Sequence, residues 1–212
     1  MLSIDTTNTA ILLIDPYNDF LHPDGKLNGL LRDDLKRTDA ISHIKDIVHA
    51  ARAKHIPIIY GLHQQIRPGF YDGWHHMRKI HISQKEGHAF EEGSWGAKIY
   101  EGLEPDLSNK DAVVSKHWSS SSFQSTDLDY QLRQRDIQNV VIVGMTANAC
   151  VESTARFSYD LGYHTTIITD ATAAFTHEQH EAAVLCWPLF AQEVLSADEW
   201  IGKLNDVNGK RV

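Results

Sequence analysis

Apolar residues in this chain gather in short unbroken blocks, and the stretches between them carry a helical spacing. The blocks Thr9–Ile14 (TAILLI), Pro57–Tyr60, Asp111–Ser115, Val140–Val143, Thr165–Thr169 and Glu193–Leu195 predict strands. Runs of this kind, rich in β-branched residues and without alternation, suit strands buried on both faces of a parallel sheet. Between them, Ile41, Ile44, Val48 and Ala51 share one face of a helix capped by Thr38-Asp39. Leu128 and Leu132 predict a helix capped by Ser125 or Thr126. Cys150, Thr154, Phe157 and Leu161 predict another, opened by Cys150 and stopped at Gly162. Thr176 and Gln179 form a capping box ahead of a helix expected to turn Ala182, Leu185 and Leu189 inward and to end at Trp187-Pro188. The β, α, β order implies right-handed crossovers and a single α/β domain over 1–212. Residues 21–37 read as loop around His22-Pro23-Asp24-Gly25. Residues 61–111 are less regular, with a short helix expected over Ala97–Leu103 and a place near the site or a subunit interface. The polar tail from Asn205 is expected to fray.

In open parallel sheets, ligands bind beyond the carboxyl ends of the strands. Three such ends carry chemistry here: Asp15, Lys116 and Cys150. A carboxylate, a cation and a thiol at one rim make a nucleophile set, in which Asp15 takes the thiol proton and Lys116 stabilises both anions. Cys150 follows the small turn Gly144–Ala149, and a helix N-terminus there would favour the thiolate and offer N–H groups to an oxyanion. Each residue also has a plainer reading. Cys150 would serve as a small core residue, Asp15 or Asp19 as a turn cap, and Lys116 as a solvated cation. Cys186 lies mid-helix among apolar residues and reads as core.

The net charge of −8 argues against non-specific nucleic-acid binding. No apolar run is long enough to span a bilayer, and no secretory leader is expected. With only Cys150 and Cys186, no disulfide framework is expected, and a cytoplasmic setting is the default. The thirteen histidines match no zinc spacing, so they are expected at the surface or an interface, with no metal and no cofactor.

The segments ILLIDPYNDF, GSWGAKIYEGLEP, VVSKHWSSSSFQSTDLDYQL and GMTANACVESTARFSYDLGYHTTIITDATAAF resemble the isochorismatase-like cysteine hydrolase superfamily. That group includes nicotinamidases and N-carbamoylsarcosine amidohydrolases. The resemblance implies a three-layer α/β/α sandwich around a mostly parallel sheet of about six strands. It implies a triad of Asp15, Lys116 and Cys150, and a cis Met145–Thr146 bond that aims the Thr146 N–H with that of Cys150 as the oxyanion hole. It also implies a homo-oligomer. Where nicotinamidases carry an Asp-x-His metal motif, this chain has Gly61-Leu62-His63. The expected activity is cysteine-dependent hydrolysis of a small C–N substrate through a thioester. The alternatives are isochorismatase-type vinyl ether hydrolysis with Asp15 as acid, and a non-enzymatic or redox role. Phe20, Trp118 and Phe123 are candidate pocket walls, and core packing explains each nearly as well.

Overall fold

Strand β1 (Thr9–Ile14) runs through the middle of a six-stranded sheet in the computed structural model, which describes residues 4–206. The strand order is β3-β2-β1-β4-β5-β6, and every pairing is parallel. The other strands are β2 (Ile58–Gly61), β3 (Ala112–Val113), β4 (Asn139–Met145), β5 (His164–Ala173) and β6 (Glu193–Leu195), and the short helix α1 (Asn18–Leu21) follows β1. All of β1 is buried because both its faces are covered. Ile11 and Leu13 point into one core, with α2 (Asn28–Thr38), α3 (Ala40–Ala53) and α8 (Ala197–Asp206). Ala10, Leu12 and Ile14 point into the other, with α5 (Leu128–Arg133), α6 (Glu152–Asp160) and α7 (His177–Cys186). The result is the expected three-layer α/β/α sandwich.

The chain winds outward from β1 through β2 to β3, then returns to β4 on the other side of β1 and continues to β6. The winding therefore reverses between β1 and β4. The carboxyl ends of these two strands diverge into the crevice where open α/β sheets place their ligands. Gly144 makes the approach to that crevice possible. It pairs with Ile14, has φ of +120°, and a Cβ there would collide with the Ile14 carbonyl.

Several local expectations are corrected. Residues 28–37, read as loop, form α2 together with Thr38, read as a cap; its inner face is Leu31, Leu35 and Thr38, and the charges around them hide the period. Asn28 holds its start by donating to the Phe20 and Leu21 carbonyls. No helix covers 97–103, a run of turns whose Lys98 carbonyl accepts from the Asn18 N–H and whose Tyr100 N–H donates to the Pro16 carbonyl, and α4 (Lys79–Gly87) occurs instead. Helix α7 buries His180 and Ala183, followed by Trp187, while Leu185 and Leu189 lie in solvent and Ala182 is exposed. The inner stripe includes a histidine, so the apolar period pointed to the wrong face. Phe157 and Leu161 of the α6 stripe are likewise exposed, and Thr154, Ala155 and Ser158 are buried. Cys186, expected in the core, is half-buried and packs against the second core from its periphery. Asn205 and Asp206 close α8, and the rest of the polar tail lies outside the described residues.

Candidate active site

Asp15 and Cys150 follow the two strands at the reversal, and the structure brings them together. A carboxylate oxygen of Asp15, a ring nitrogen of His117 and Sγ of Cys150 all lie within 4.8 Å of one another, and all three residues are buried. Asp15 leaves β1 with φ of +50°, its N–H donating to the Gly61 carbonyl. Its Oδ1 accepts from the His63 N–H at 2.6 Å and contacts His117 Nε2 at 3.2 Å. Its Oδ2 is buried and has no hydrogen-bond partner among the described residues. One carboxylate oxygen is thus committed to holding the group in place, and the other is free to take a proton. Asp19, four residues on, accepts from the Phe90 and Lys26 N–H groups, which is the structural role also considered for Asp15.

The cation beside this carboxylate is not the expected one. Lys116 is half-buried, and its carbonyl accepts from Gln64 Nε2. Among the described residues its ammonium forms no ion pair with Asp15, whereas the fully buried His117 does. The reason is geometric. Strand β3 ends at Val113, and His117 bridges back in parallel to His63 beyond it. In extended chain, neighbouring side chains point to opposite sides, so turning His117 inward turns Lys116 away. His117 Nδ1 lies 2.7 Å from the Ser119 carbonyl, which only accepts, so this nitrogen carries hydrogen. Its Nε2 faces an ionised carboxylate, which also only accepts. The two contacts together call for an imidazolium. In keeping with this, burial disfavours the His117 cation, but the Asp15 charge and hydrogen bond outweigh burial and raise its pKa. Burial likewise acts to raise the Asp15 pKa, and the imidazolium overcomes it to hold the carboxyl below its usual range.

Cys150 corrects a second expectation. It does not open an ordinary helix but sits in a wide π turn over Ala147–Val151, after which α6 begins. Burial and the facing Asp15 carboxylate push its thiol well above the usual range, so the resting group is a thiol and not a thiolate. The helix-terminus effect is smaller than these two. The Thr146 carbonyl accepts from the Ala149 and Val151 N–H groups, leaving the Cys150 N–H between them outside that pair. The Met145–Thr146 peptide is cis.

Most of the thirteen histidines lie at least partly at the surface, as expected, but His63, His81, His117 and His180 are buried. The His63 ring meets that of His117 edge-on at 5.1 Å, and its Nε2 is buried without a partner among the described residues. Burial, together with the His117 charge, lowers its pKa to about 4. Folded protein therefore resists protonating His63 where the unfolded chain, at about 6.5, accepts the proton. Stability should fall as pH drops from about 6.5 to 4, by up to about 3 kcal/mol from this group. His63→Leu should flatten urea midpoints across that window; His180, also lowered, acts in the same sense in both proteins. An unchanged slope would refute the assignment. Asp15, His117 and Cys150 also present the donor types a transition metal uses. For His117 Nε2 to bind a metal, it would first have to give up the proton it shares with Asp15.

The three candidate pocket aromatics separate. Phe20 is buried in the first core against Phe90, with ring centroids 5.0 Å apart. Phe123 is buried in the second core with Cys150 and Tyr163. Trp118 is half-buried, stacks on Phe70 with planes 10° apart, and walls a cleft of about 420 Å³. The cleft is lined by Trp118–Ser121, directly after His117, and by Ser153, one turn after Cys150. Trp74, His76, Arg78 and His81 of the irregular insertion also line this cleft, whereas Asp15, His117 and Cys150 are not among its lining residues.

Residues 9–199 match the Isochorismatase domain family. A ureidoacrylate amidohydrolase, RutB, of Azorhizobium caulinodans is 32% identical over 181 residues, covering 81% of this chain and 78% of its own. YwoC of Bacillus subtilis, an uncharacterized isochorismatase family protein, is 46% identical over 72 residues, 34% of this chain and 37% of its own. Among solved structures, a cysteine hydrolase from Pseudomonas syringae pv. phaseolicola superposes with a TM-score of 0.81 at 24% identity, covering 97% of this chain and 96% of that one. N-carbamoylsarcosine amidase from Thermoplasma acidophilum has a TM-score of 0.64 at 20% identity, covering 90% and 97%. These two likenesses show the fold. By the family match over nearly its whole length, this chain belongs to the isochorismatase family of hydrolases.

Proposed function

We infer that this chain is a cysteine-dependent hydrolase that cleaves a C–N bond of a small amide, carbamoyl or ureido compound. The observation that carries the reading is the unpartnered Asp15 Oδ2 in a buried cluster with the Cys150 thiol and the His117 imidazolium. As Sγ attacks the carbonyl carbon, its proton passes to Asp15 Oδ2 and the carbonyl π pair moves onto oxygen. The Thr146 and Cys150 N–H groups receive that oxyanion. His117 stabilises the sulfur charge as it forms, which a resting thiol requires. Asp15 then protonates the departing nitrogen, the C–N bond breaks, and a thioester remains. Water adds to the thioester as Asp15 takes its proton. The C–S bond breaks, and the thiolate recovers the proton from Asp15. The role expected of Lys116 passes to His117. The amidohydrolase named among the relatives supports C–N cleavage.

Vinyl ether hydrolysis would need Asp15 protonated as an acid at rest. The lowered Asp15 pKa and its ion pair with His117 work against that. Rapid quench of the protein with ureido and carbamoyl compounds, followed by intact-mass measurement, tests the thioester. An acyl adduct on Cys150 in the steady state is expected. Turnover that continues after full alkylation of Cys150 would end the reading.

A further inference from the structure

We propose that Asp15, His117 and Cys150 form a binding site for a zinc ion, and that zinc seated there reversibly shuts off the reaction by holding both the nucleophile and its base. The metal site stands on geometry alone; the shut-off rests on the hydrolase reading.

The donors are already gathered. A carboxylate oxygen of Asp15, a ring nitrogen of His117 and Sγ of Cys150 lie within 4.8 Å of one another. Tetrahedral zinc holds such donors about 3.3–3.8 Å apart, so side-chain rotation of about 1 Å brings all three around one ion. Carboxylate, imidazole and thiolate are each zinc ligands, and three of them leave a fourth position open to water. Asp15 Oδ2 is the atom that lacks an occupant. Its residue is 1% exposed, and it has no hydrogen-bond partner among the described residues.

The groups behind the donors are in place as well. A ligating histidine is held by giving its other ring N–H to a carbonyl or carboxylate. His117 Nδ1 does so to the Ser119 carbonyl at 2.7 Å, which leaves Nε2 as the ligating atom. Asp15 Oδ1 accepts from the His63 N–H at 2.6 Å, which leaves Oδ2 for the ion. Charge favours a dication. Zinc, one carboxylate and one thiolate sum to zero, so the ion is buried without an uncompensated charge. As zinc binds, the thiol proton and the His117 Nε2 proton leave to solvent, and the lone pairs they held go to the metal. The site is distinct from the Asp-x-His motif of nicotinamidases. Gly61 supplies no carboxylate there, and a Cβ at Gly61 would collide with Ser122 Oγ.

Cobalt(II) takes the same tetrahedral site and, unlike zinc, absorbs light. Chelator-treated protein titrated with Co2+ should develop a thiolate-to-metal absorption band in the near ultraviolet that saturates at about one equivalent and is bleached by Zn2+. The band should persist in Cys186→Ser and be absent in Cys150→Ala, with unchanged melting temperatures in both. His117→Gln should weaken Co2+ binding at least about 10-fold. Zinc should also block alkylation of Cys150 by iodoacetamide, read by intact mass, and EDTA should restore it. No such band, a band that survives Cys150→Ala, or one lost in Cys186→Ser would overturn the site. Turnover of ureido and carbamoyl compounds that is equal with and without saturating zinc would overturn the shut-off. A Cys150-dependent band with no turnover of those compounds by metal-free protein would retain the site and reject the hydrolase reading.

Discussion

Cys150→Ala should lower turnover of any amide substrate by about 10³-fold or more while leaving the fold in place. The nucleophile cannot be replaced from nearby, because Cys186, the chain's other thiol, lies on α7 packed against the second core and outside the cluster. The cost to stability should be small, since the change removes one sulfur from a site 5% exposed and relieves the thiol of a facing carboxylate. Thermal melting within a few degrees of wild type, with substrate binding retained, separates loss of chemistry from loss of structure. Near-normal turnover in this variant would transfer the reaction to Asp15 alone.

His117→Gln should have the next largest effect, and it should act on rate and stability together. The variant loses the positive charge that offsets both the Asp15 carboxylate and the sulfur anion, and we expect kcat to fall by about 10²-fold or more. It also leaves a carboxylate buried without its partner, which typically costs about 3–5 kcal/mol. Adding Asp15→Asn should recover much of the stability and none of the activity, a pattern that simple misfolding would not give. Lys116→Ala should change the rate by less than about threefold, because its ammonium has no pairing with Asp15 among the described residues. A large rate loss in Lys116→Ala with a small one in His117→Gln would reverse the assignment.

The same pair sets a pH profile. His117 has its pKa raised in the folded protein, so its contribution to stability is complete below about 6.5 and is lost as pH rises through the folded value. Asp15 is lowered, so its contribution is complete above about 3.9 and is lost as pH falls through the folded value. The alkaline limb of kcat/KM should therefore belong to His117 and disappear in His117→Gln, which stopped-flow ammonia release over a pH series would reveal.

Much of this was legible along the chain because strand burial on both faces leaves an unbroken apolar run, and each run has a definite end. Asp15 follows such an end directly and Cys150 follows another after one short turn, so their meeting at the crevice could be anticipated from order alone. The cation could not. The third strand is two residues long, and His117 continues it only by bridging to His63. A one-residue error in counting from a strand end exchanges the inward and outward side chains, which is how Lys116 stood in for His117. The state of the thiol was equally hidden, since desolvation and a facing carboxylate depend on what folds over the sulfur and not on its neighbours in sequence.

The amino-acid sequence by itself determined the parallel sheet, its two covering layers and the pairing of an acid with a thiol, because these follow from local hydrophobic runs and the crossovers that join them. Tertiary structure alone decided which cation joins them and that the sulfur rests protonated. Those outcomes depend on contacts between residues distant in sequence, whose charges and burial exist only once the chain has packed.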